Sequence, residues 1–307
     1  MHRSPLILIA TVMAAGGLTS ASAQESPDSL IVSTAWLAAH LNDPRVLVLQ
    51  VDMDINRRGE TPFAAEHIPG ARKLSYTEIE VASGGLDFEM PPVEQLRETF
   101  EGLGVSDSSR VVVAYSREAP VAARVVMVLD YLGHDRVSFV DGGLPKWRAE
   151  KRELTSNVAS VTRGSMHPHV RANVIVDAPW IETRIGKPGL ALIDTRADGE
   201  YLGTAGRHGM PSEGHLAGAR ELQWEQLFQG DSGSQSGAPL KDRAALRKLF
   251  ADRMQPGDTV ITYCWVGYRA STTYFAARAL GLPVRLYDGS YEDWSKRKLP
   301  THAGATP

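Results

Sequence analysis

Thr259-Val260-Ile261-Thr262-Tyr263, followed at once by Cys264-Trp265-Val266-Gly267-Tyr268-Arg269 and then Ala270-Ser271-Thr272-Thr273-Tyr274-Phe275, decides the reading of this chain. The first five residues are mostly β-branched or aromatic and read as a short buried strand. The last six open a segment of helical character that runs to about Leu280 and stops at Gly281. Cys264 to Arg269 is therefore a strand-to-helix loop. Cys264 is the single cysteine among 307 residues.

Working outward, the same pattern occurs earlier in the chain. Val111-Val112-Val113-Ala114-Tyr115-Ser116 aligns with Thr259 to Cys264 at an offset of 148 residues, from 111 to 259. His67-Ile68-Pro69-Gly70-Ala71 aligns with His215-Leu216-Ala217-Gly218-Ala219 at the same offset, and Asp141-Gly142-Gly143-Leu144-Pro145-Lys146-Trp147 aligns with Asp288-Gly289-Ser290-Tyr291-Glu292-Asp293-Trp294. Matches in one order at offsets of 147 or 148 identify a duplication. A chain of this length also exceeds what one core usually serves, so two domains are expected.

Each half alternates short β-branched runs with amphipathic helices. Val46-Leu47-Val48-Leu49 and Leu190-Ala191-Leu192-Ile193 open the halves, Val111–Val113 and Val260–Thr262 lie centrally, and Val137–Phe139 and Val284–Leu286 close them. After the first central strand, Val121, Val125, Val128, Leu129 and Leu132 recur at helical spacing before Gly133. The alternation predicts an α/β fold, with a central parallel sheet in each half covered by helices on both faces. Residues 153–173 are polar and aperiodic and read as the linker. The first domain then spans residues 24–152 and the second 174–307.

Composition excludes little else. With 43% hydrophobic residues, 22% charged residues and a net charge of −3, the chain matches ordinary globular protein and has no basic excess that would suggest nucleic acid. The N-terminus settles the expected compartment. Arg3 precedes an apolar run from Leu6 to about Leu18, and Ala21-Ser22-Ala23 comes before polar Gln24-Glu25-Ser26. This is the pattern of a secretory signal, too short for a membrane span, with cleavage expected after Ala23. The mature protein is expected to be periplasmic or secreted and free of the membrane.

A lone thiol in an oxidising compartment cannot form an internal disulfide. Its position gives it a different chemistry. Amides at a helix start and the helix dipole make an anion site, which favours the nucleophilic thiolate. Gly267 lets the loop Trp265-Val266-Gly267-Tyr268 curl with its amides inward, and Arg269 adds a charge that grips oxyanions.

Taken together, the Cys-x-x-Gly-x-Arg-x-Ser loop, the His-x-x-Gly-Ala turns, the closing Asp-Gly-x-x-x-x-Trp and the tandem halves resemble the rhodanese superfamily over nearly all of the mature chain. The resemblance implies two tandem rhodanese-like domains and sulfur transfer through a Cys264 persulfide, with no cofactor. It also implies that the first domain is an inactive copy. That fits Ser116 in place of Cys264, Val121 in place of Arg269, and Pro120, which removes an amide from any cradle. Asp194-Thr195-Arg196 resembles the family segment whose arginine binds donor, which would make Arg196 and Arg269 the substrate-binding pair. An ion pair of Arg196 with Asp194, Glu200 or Glu213 is the alternative. His67 and His215, one per repeat, read as structural turns, and no metal site is indicated.

Thiosulfate, with two negative charges, matches two arginines, whereas mercaptopyruvate enzymes of the family have an uncharged loop after the cysteine. Trp265 departs from the basic residue that many thiosulfate-using relatives place there. Trp265 and Tyr268 either wall the site or pack against the other domain. A thiol, cyanide or a partner protein would accept the sulfur. Two rivals are a phosphatase and a sulfur carrier. A phosphatase needs five residues between cysteine and arginine where this chain has four. A carrier would keep the loop but turn over slowly.

Overall fold

A computed structural model describes residues 29–53, 63–207, 210–230 and 237–307. The signal-like residues 1–23 and most of the Gly/Ser-rich loop 230–237 lie outside them.

In the first half, β1 (Ile31–Val32), β2 (Val46–Asp52), β3 (Arg72–Ser75), the hairpin β4 (Val81–Ser83) and β5 (Leu86–Glu89), β6 (Arg110–Tyr115) and β7 (Val137–Val140) are joined by α1 (Thr34–His40), α2 (Val93–Gly102), α3 (Ala119–Tyr131) and α4 (Gly143–Ala149). The second half adds β8 (Ile175–Val176), β9 (Leu190–Asp194), β10 (His215–Leu216), β11 (Arg220–Glu221), β12 (Thr259–Tyr263), β13 (Val284–Tyr287) and β14 (Thr301–His302). Its helices are α5 (Ala178–Glu182), α6 (Asp198–Leu202), α7 (Arg243–Ala251), α8 (Ala270–Leu280) and α9 (Ser290–Lys296).

Two five-stranded sheets result, in the orders β1-β7-β6-β2-β3 and β11-β9-β12-β13-β8, with every pairing parallel. Strands buried on both faces must be apolar throughout, and Val111 to Tyr115 are all buried. The expected central strands and the helix stops at Gly133 and Gly281 are present, with both glycines at positive φ. The short edge strands had no sequence signal of their own.

The two halves share one core. Apolar residues of α3, α8 and the inner sheet faces form a single cluster, and two smaller clusters fill the outer faces under α1 with α4 and under α5 with α9. Residues Ala119 to Asp130 are all buried, because α3 packs on its own sheet and on α8. Phe139 and Phe275 meet across the boundary with ring centroids 4.7 Å apart. Asp130 ties the two helices by accepting from Tyr274 and pairing with Arg278.

Residues 153–171, where the linker is expected, carry no helix and bond to the first half. Thr155 exchanges two backbone hydrogen bonds with His67, and Glu101 accepts from the amide of buried Met166. His67 and His215 hold turns. Each stacks on an aromatic ring four to fourteen residues away, Phe63 or Tyr201, and lies against backbone carbonyls through both ring nitrogens.

Candidate active site

Cys264 lies one residue beyond β12, at the carboxyl edge of its sheet, where open parallel sheets bind ligands. It is a free thiol, 1% exposed, and belongs to the core cluster shared by both halves. Its backbone is held to the start of α9. The carbonyls of Cys264 and Trp265 accept from the amides of Tyr291 and Glu292 in α9, at 3.0 and 2.9 Å. The Cys264 amide donates to Oγ of Ser290 at 3.2 Å.

Ser290 also accepts from the amide of Gly267 at 2.9 Å and donates to the carbonyl of Tyr287 at 2.7 Å. One buried hydroxyl therefore ties the start and the middle of the loop to the β13–α9 turn. It does so from a φ of 51°, which is uncommon for a residue with a Cβ. Gly267 has φ 76°, and a Cβ there would lie 2.9 Å from both the carbonyl and the carboxylate oxygen of Asp288. No other residue fits that approach without displacing the β13–α9 turn.

The amide of Gly267, expected to face the sulfur, is thus committed to Ser290. The amides of Trp265, Val266, Tyr268 and Arg269 have no protein acceptor among the described residues. They precede α8, whose dipole favours an anion at this end.

Arg269 is 8% exposed. Its Nη1 donates to Oε2 of Glu200 at 2.8 Å, while Nη2 is buried without a partner. Burial opposes its charge, but the neighbouring Cys264 and Glu200 raise its pKa above the usual value. Burial also works against the Glu200 carboxylate, yet the hydrogen bond and charge of Arg269 hold its pKa below the usual range. Glu200 further accepts from Nε1 of Trp265 and from the amide of Ala197. From the sequence, Glu200 is expected only as a partner for Arg196. Its place after the Asp194-Thr195-Arg196 strand end, three residues into α6, was the available signal.

Arg196 is placed differently from the expectation of a donor-gripping guanidinium. It is fully buried and chelates Asp194 through Nε and Nη2, and Nη2 also donates to the carbonyl of Gly214 at 2.7 Å. The ring of Tyr291 lies 4.1 Å from its guanidinium carbon and that of Trp265 5.2 Å away. These rings fill the outer cluster beneath α9, whereas Cys264 belongs to the inner one. The ion pair with Asp194 arises because a side chain two residues beyond a buried carboxylate reaches it more readily than it reaches the loop.

The aromatic loop residues divide likewise. Trp265 is buried in the outer cluster of its own domain, at right angles to Tyr291, so its ring does not wall the site. Tyr268 packs on the first domain, edge-on to Tyr76 at 5.2 Å, and its hydroxyl donates to Glu118 at 3.0 Å.

The first domain contributes more than Tyr76. Arg124, fully buried in α3, pairs with Asp288 beside Gly267 and donates to the carbonyl of Phe88. Asp288 accepts from the amide of Met90 at 2.9 Å, and Asp141 accepts from the amide of Leu240 at 2.9 Å, so the repeats brace each other reciprocally. At the position equivalent to Cys264, Ser116 has Gln50 as its side-chain partner, and Pro120 stands in the first turn of α3.

A family model described as "Rhodanese-like domain" matches the chain twice, over residues 33–150 and 177–297. A relative named "Sulfur carrier protein TtuD" from Thermus thermophilus is 31% identical, with 86% of this chain and 93% of the relative covered. Two proteins of Pseudomonas aeruginosa are similar over 86% of this chain. One is a "Thiosulfate sulfurtransferase" at 28% identity with 93% of its length covered, and the other a "Probable 3-mercaptopyruvate sulfurtransferase" at 30% with 94% covered. The crystal structure of SseA from Escherichia coli superposes with a TM-score of 0.74 at 23% identity, covering 86% of this chain and 99% of that one.

Proposed function

Since this chain belongs to the rhodanese-like domain family and carries two copies of the domain, we propose that it is a thiosulfate sulfurtransferase working through a Cys264 persulfide. The observation that carries the choice of donor is the unpartnered, buried Nη2 of Arg269 beside Cys264. A fixed positive charge with a spare donor suits a sulfonate oxygen of thiosulfate. The free amides of Trp265, Val266, Tyr268 and Arg269 add uncharged donors for anionic sulfur.

In the first half-reaction the Cys264 thiolate attacks the outer sulfur of thiosulfate. A new S–S bond forms, the S–S bond of thiosulfate breaks, and its electron pair leaves with sulfite, which Arg269 holds. In the second, a nucleophilic acceptor attacks the sulfane sulfur and Cys264 departs as thiolate. Cyanide serves as laboratory acceptor, and a thiol or a protein thiol as the natural class. With no other cysteine in the chain, the resolving nucleophile comes from outside. Export after cleavage behind Ala23 belongs to the same proposal, and N-terminal sequencing of the mature protein tests it.

The deciding assay is thiocyanate formation from cyanide by the mature protein, with thiosulfate or 3-mercaptopyruvate as donor and Cys264→Ser as blank. A preference for thiosulfate supports the proposal, and a preference for mercaptopyruvate overturns the choice of donor. Persulfide formation without turnover would favour a carrier, the role in the name of the Thermus relative.

A further inference from the structure

The first domain lacks the nucleophile, the loop arginine and the unobstructed helix start, yet it sets a buried polar side chain against the cysteine loop of the second. Tyr76 stands in a short helical turn directly after β3, capped by Ser75 and Glu78. Its side chain is 1% exposed, and its hydroxyl is buried with no hydrogen-bond partner among the described residues. Buried hydroxyls are nearly always bonded, so one left open faces the place of a missing acceptor.

The surroundings place the hydroxyl among charged groups at the domain boundary. Tyr76 packs on Tyr268, four residues beyond Cys264 in the same loop, and the charged groups that act on its hydroxyl are Arg124, Glu80, Asp288 and Cys264. The ring is held between Phe88 and Tyr268, with centroids at 6.3 and 5.2 Å, so the hydroxyl is aimed by packing on both domains. Burial pushes its ionisation far above the ordinary range, which leaves it a neutral donor at any working pH. An anionic acceptor is then preferred to a second proton carrier. Cys264 acquires such an acceptor during turnover, because a persulfide extends the side chain by about 2 Å and carries its charge on the outer sulfur.

We propose that the Tyr76 hydroxyl of the non-catalytic domain donates a hydrogen bond to the outer sulfur of the Cys264 persulfide. This rests on the persulfide mechanism proposed above. It gives the first domain a chemical task that its own sequence motifs do not reveal. The equivalent position in the repeat, 148 residues on, is Trp224, which has no hydroxyl to offer the idle Ser116 site.

The test uses the full mature chain, wild type and Tyr76→Phe, each alkylated by iodoacetamide across a pH series before and after loading with thiosulfate. Bound sulfur is counted by mass spectrometry. Loss of a hydrogen bond to a charged sulfur should shift the alkylation midpoint of the loaded variant upward by about one pH unit, a tenfold change in ionisation. The unloaded midpoint should not move, because the shorter thiolate lies out of reach. Movement of both midpoints, or of neither, overturns the inference. If the wild type takes up no sulfur, the mechanism fails instead, and mass spectrometry distinguishes the two failures. Replacing Tyr76 by 3,5-difluorotyrosine keeps the packing and strengthens the donor, so the loaded midpoint should then fall; an unchanged or raised midpoint contradicts the proposal.

Discussion

Arg269 sets one guanidinium nitrogen 2.8 Å from Oε2 of Glu200 and leaves the other buried and unbonded. The carboxylate thereby anchors the guanidinium by one end, close enough to Cys264 for the two charges to act on each other. Removing the charge but keeping a polar chain, as in Arg269→Gln, takes away a donor that strengthens as sulfite departs. We expect kcat/KM for thiosulfate to fall roughly 10²–10³-fold, the cost typical of losing one such group. Steady-state kinetics with cyanide as acceptor measures this, and a change under threefold would remove Arg269 from donor binding.

Glu200→Gln separates orientation from charge. The single amide oxygen can keep the bonds from Arg269 and the Ala197 amide but not the one from Nε1 of Trp265, which uses the other carboxylate oxygen, so some stability is lost while the guanidinium loses its ionic anchor. The expected result is a rise in KM for thiosulfate of about tenfold with a smaller change in kcat, the pattern of weakened ground-state binding. An equal fall in kcat and kcat/KM would show instead that Glu200 acts only as the transition state forms.

Arg196 gives the opposite expectation. Its guanidinium neutralises fully buried Asp194 and packs on Tyr291 and Trp265. Arg196→Met would strand that carboxylate, at a cost of about 3–5 kcal/mol. Calorimetry should record a large fall in Tm. The protein that remains folded should keep a KM for thiosulfate near wild type. A stable variant with a raised KM would restore Arg196 to the donor site.

The contrast between these two arginines shows what the sequence could and could not convey. Cys264, Gly267 and Arg269 lie within six consecutive residues, so their strand-loop-helix setting was legible from hydrophobic period and spacing alone. Arg196 follows a buried carboxylate at a strand end, a pattern shared by anion sites and by short-range ion pairs, and only tertiary burial chooses between them. Glu200, Ser290 and Tyr76 reach the loop from α6, the β13–α9 turn and the other domain. No local period encodes those meetings. The duplication did predict two sheets, but the core shared through α3 and α8 depends on helix faces that look equally apolar all round.

Ser290 carries two loop amides on one hydroxyl, so its loss should be felt in the loop more than in the sheet. Ser290→Ala leaves the amides of Cys264 and Gly267 without their acceptor and keeps the strained φ. At about 1–3 kcal/mol for a buried unsatisfied group, a stability loss of that order is expected. Ser290→Gly relieves the backbone, as Gly143 does at the equivalent turn of the first domain with φ 52°, and should be less destabilising. Both should slow sulfur loading, because both free the loop. Denaturant unfolding and single-turnover loading measure the two effects, and equal stability of the two variants would show that the φ at this turn stores no strain.

Glu89, at the end of β5 against the second domain, makes stability depend on pH. Burial raises its pKa, the nearby Asp288 charge raises it further, and Arg124 only partly compensates, which leaves it at about 8. One of its oxygens is buried without a partner. The unfolded chain releases this proton near pH 4.3, whereas the native protein keeps it to about 8, so the folded state binds more protons in between. The stability that the protonated carboxyl contributes is complete below the lower pH and is lost steadily as pH rises to about 8. Glu89→Gln is neutral throughout and should escape that loss. Its Tm relative to wild type should therefore climb between pH 5 and 8 and then level off. Glu80, which burial raises to about 7, imposes its own slope on both proteins and cancels in the difference. A Tm difference independent of pH would mean that Glu89 ionises in the native interface as freely as it does in the unfolded chain.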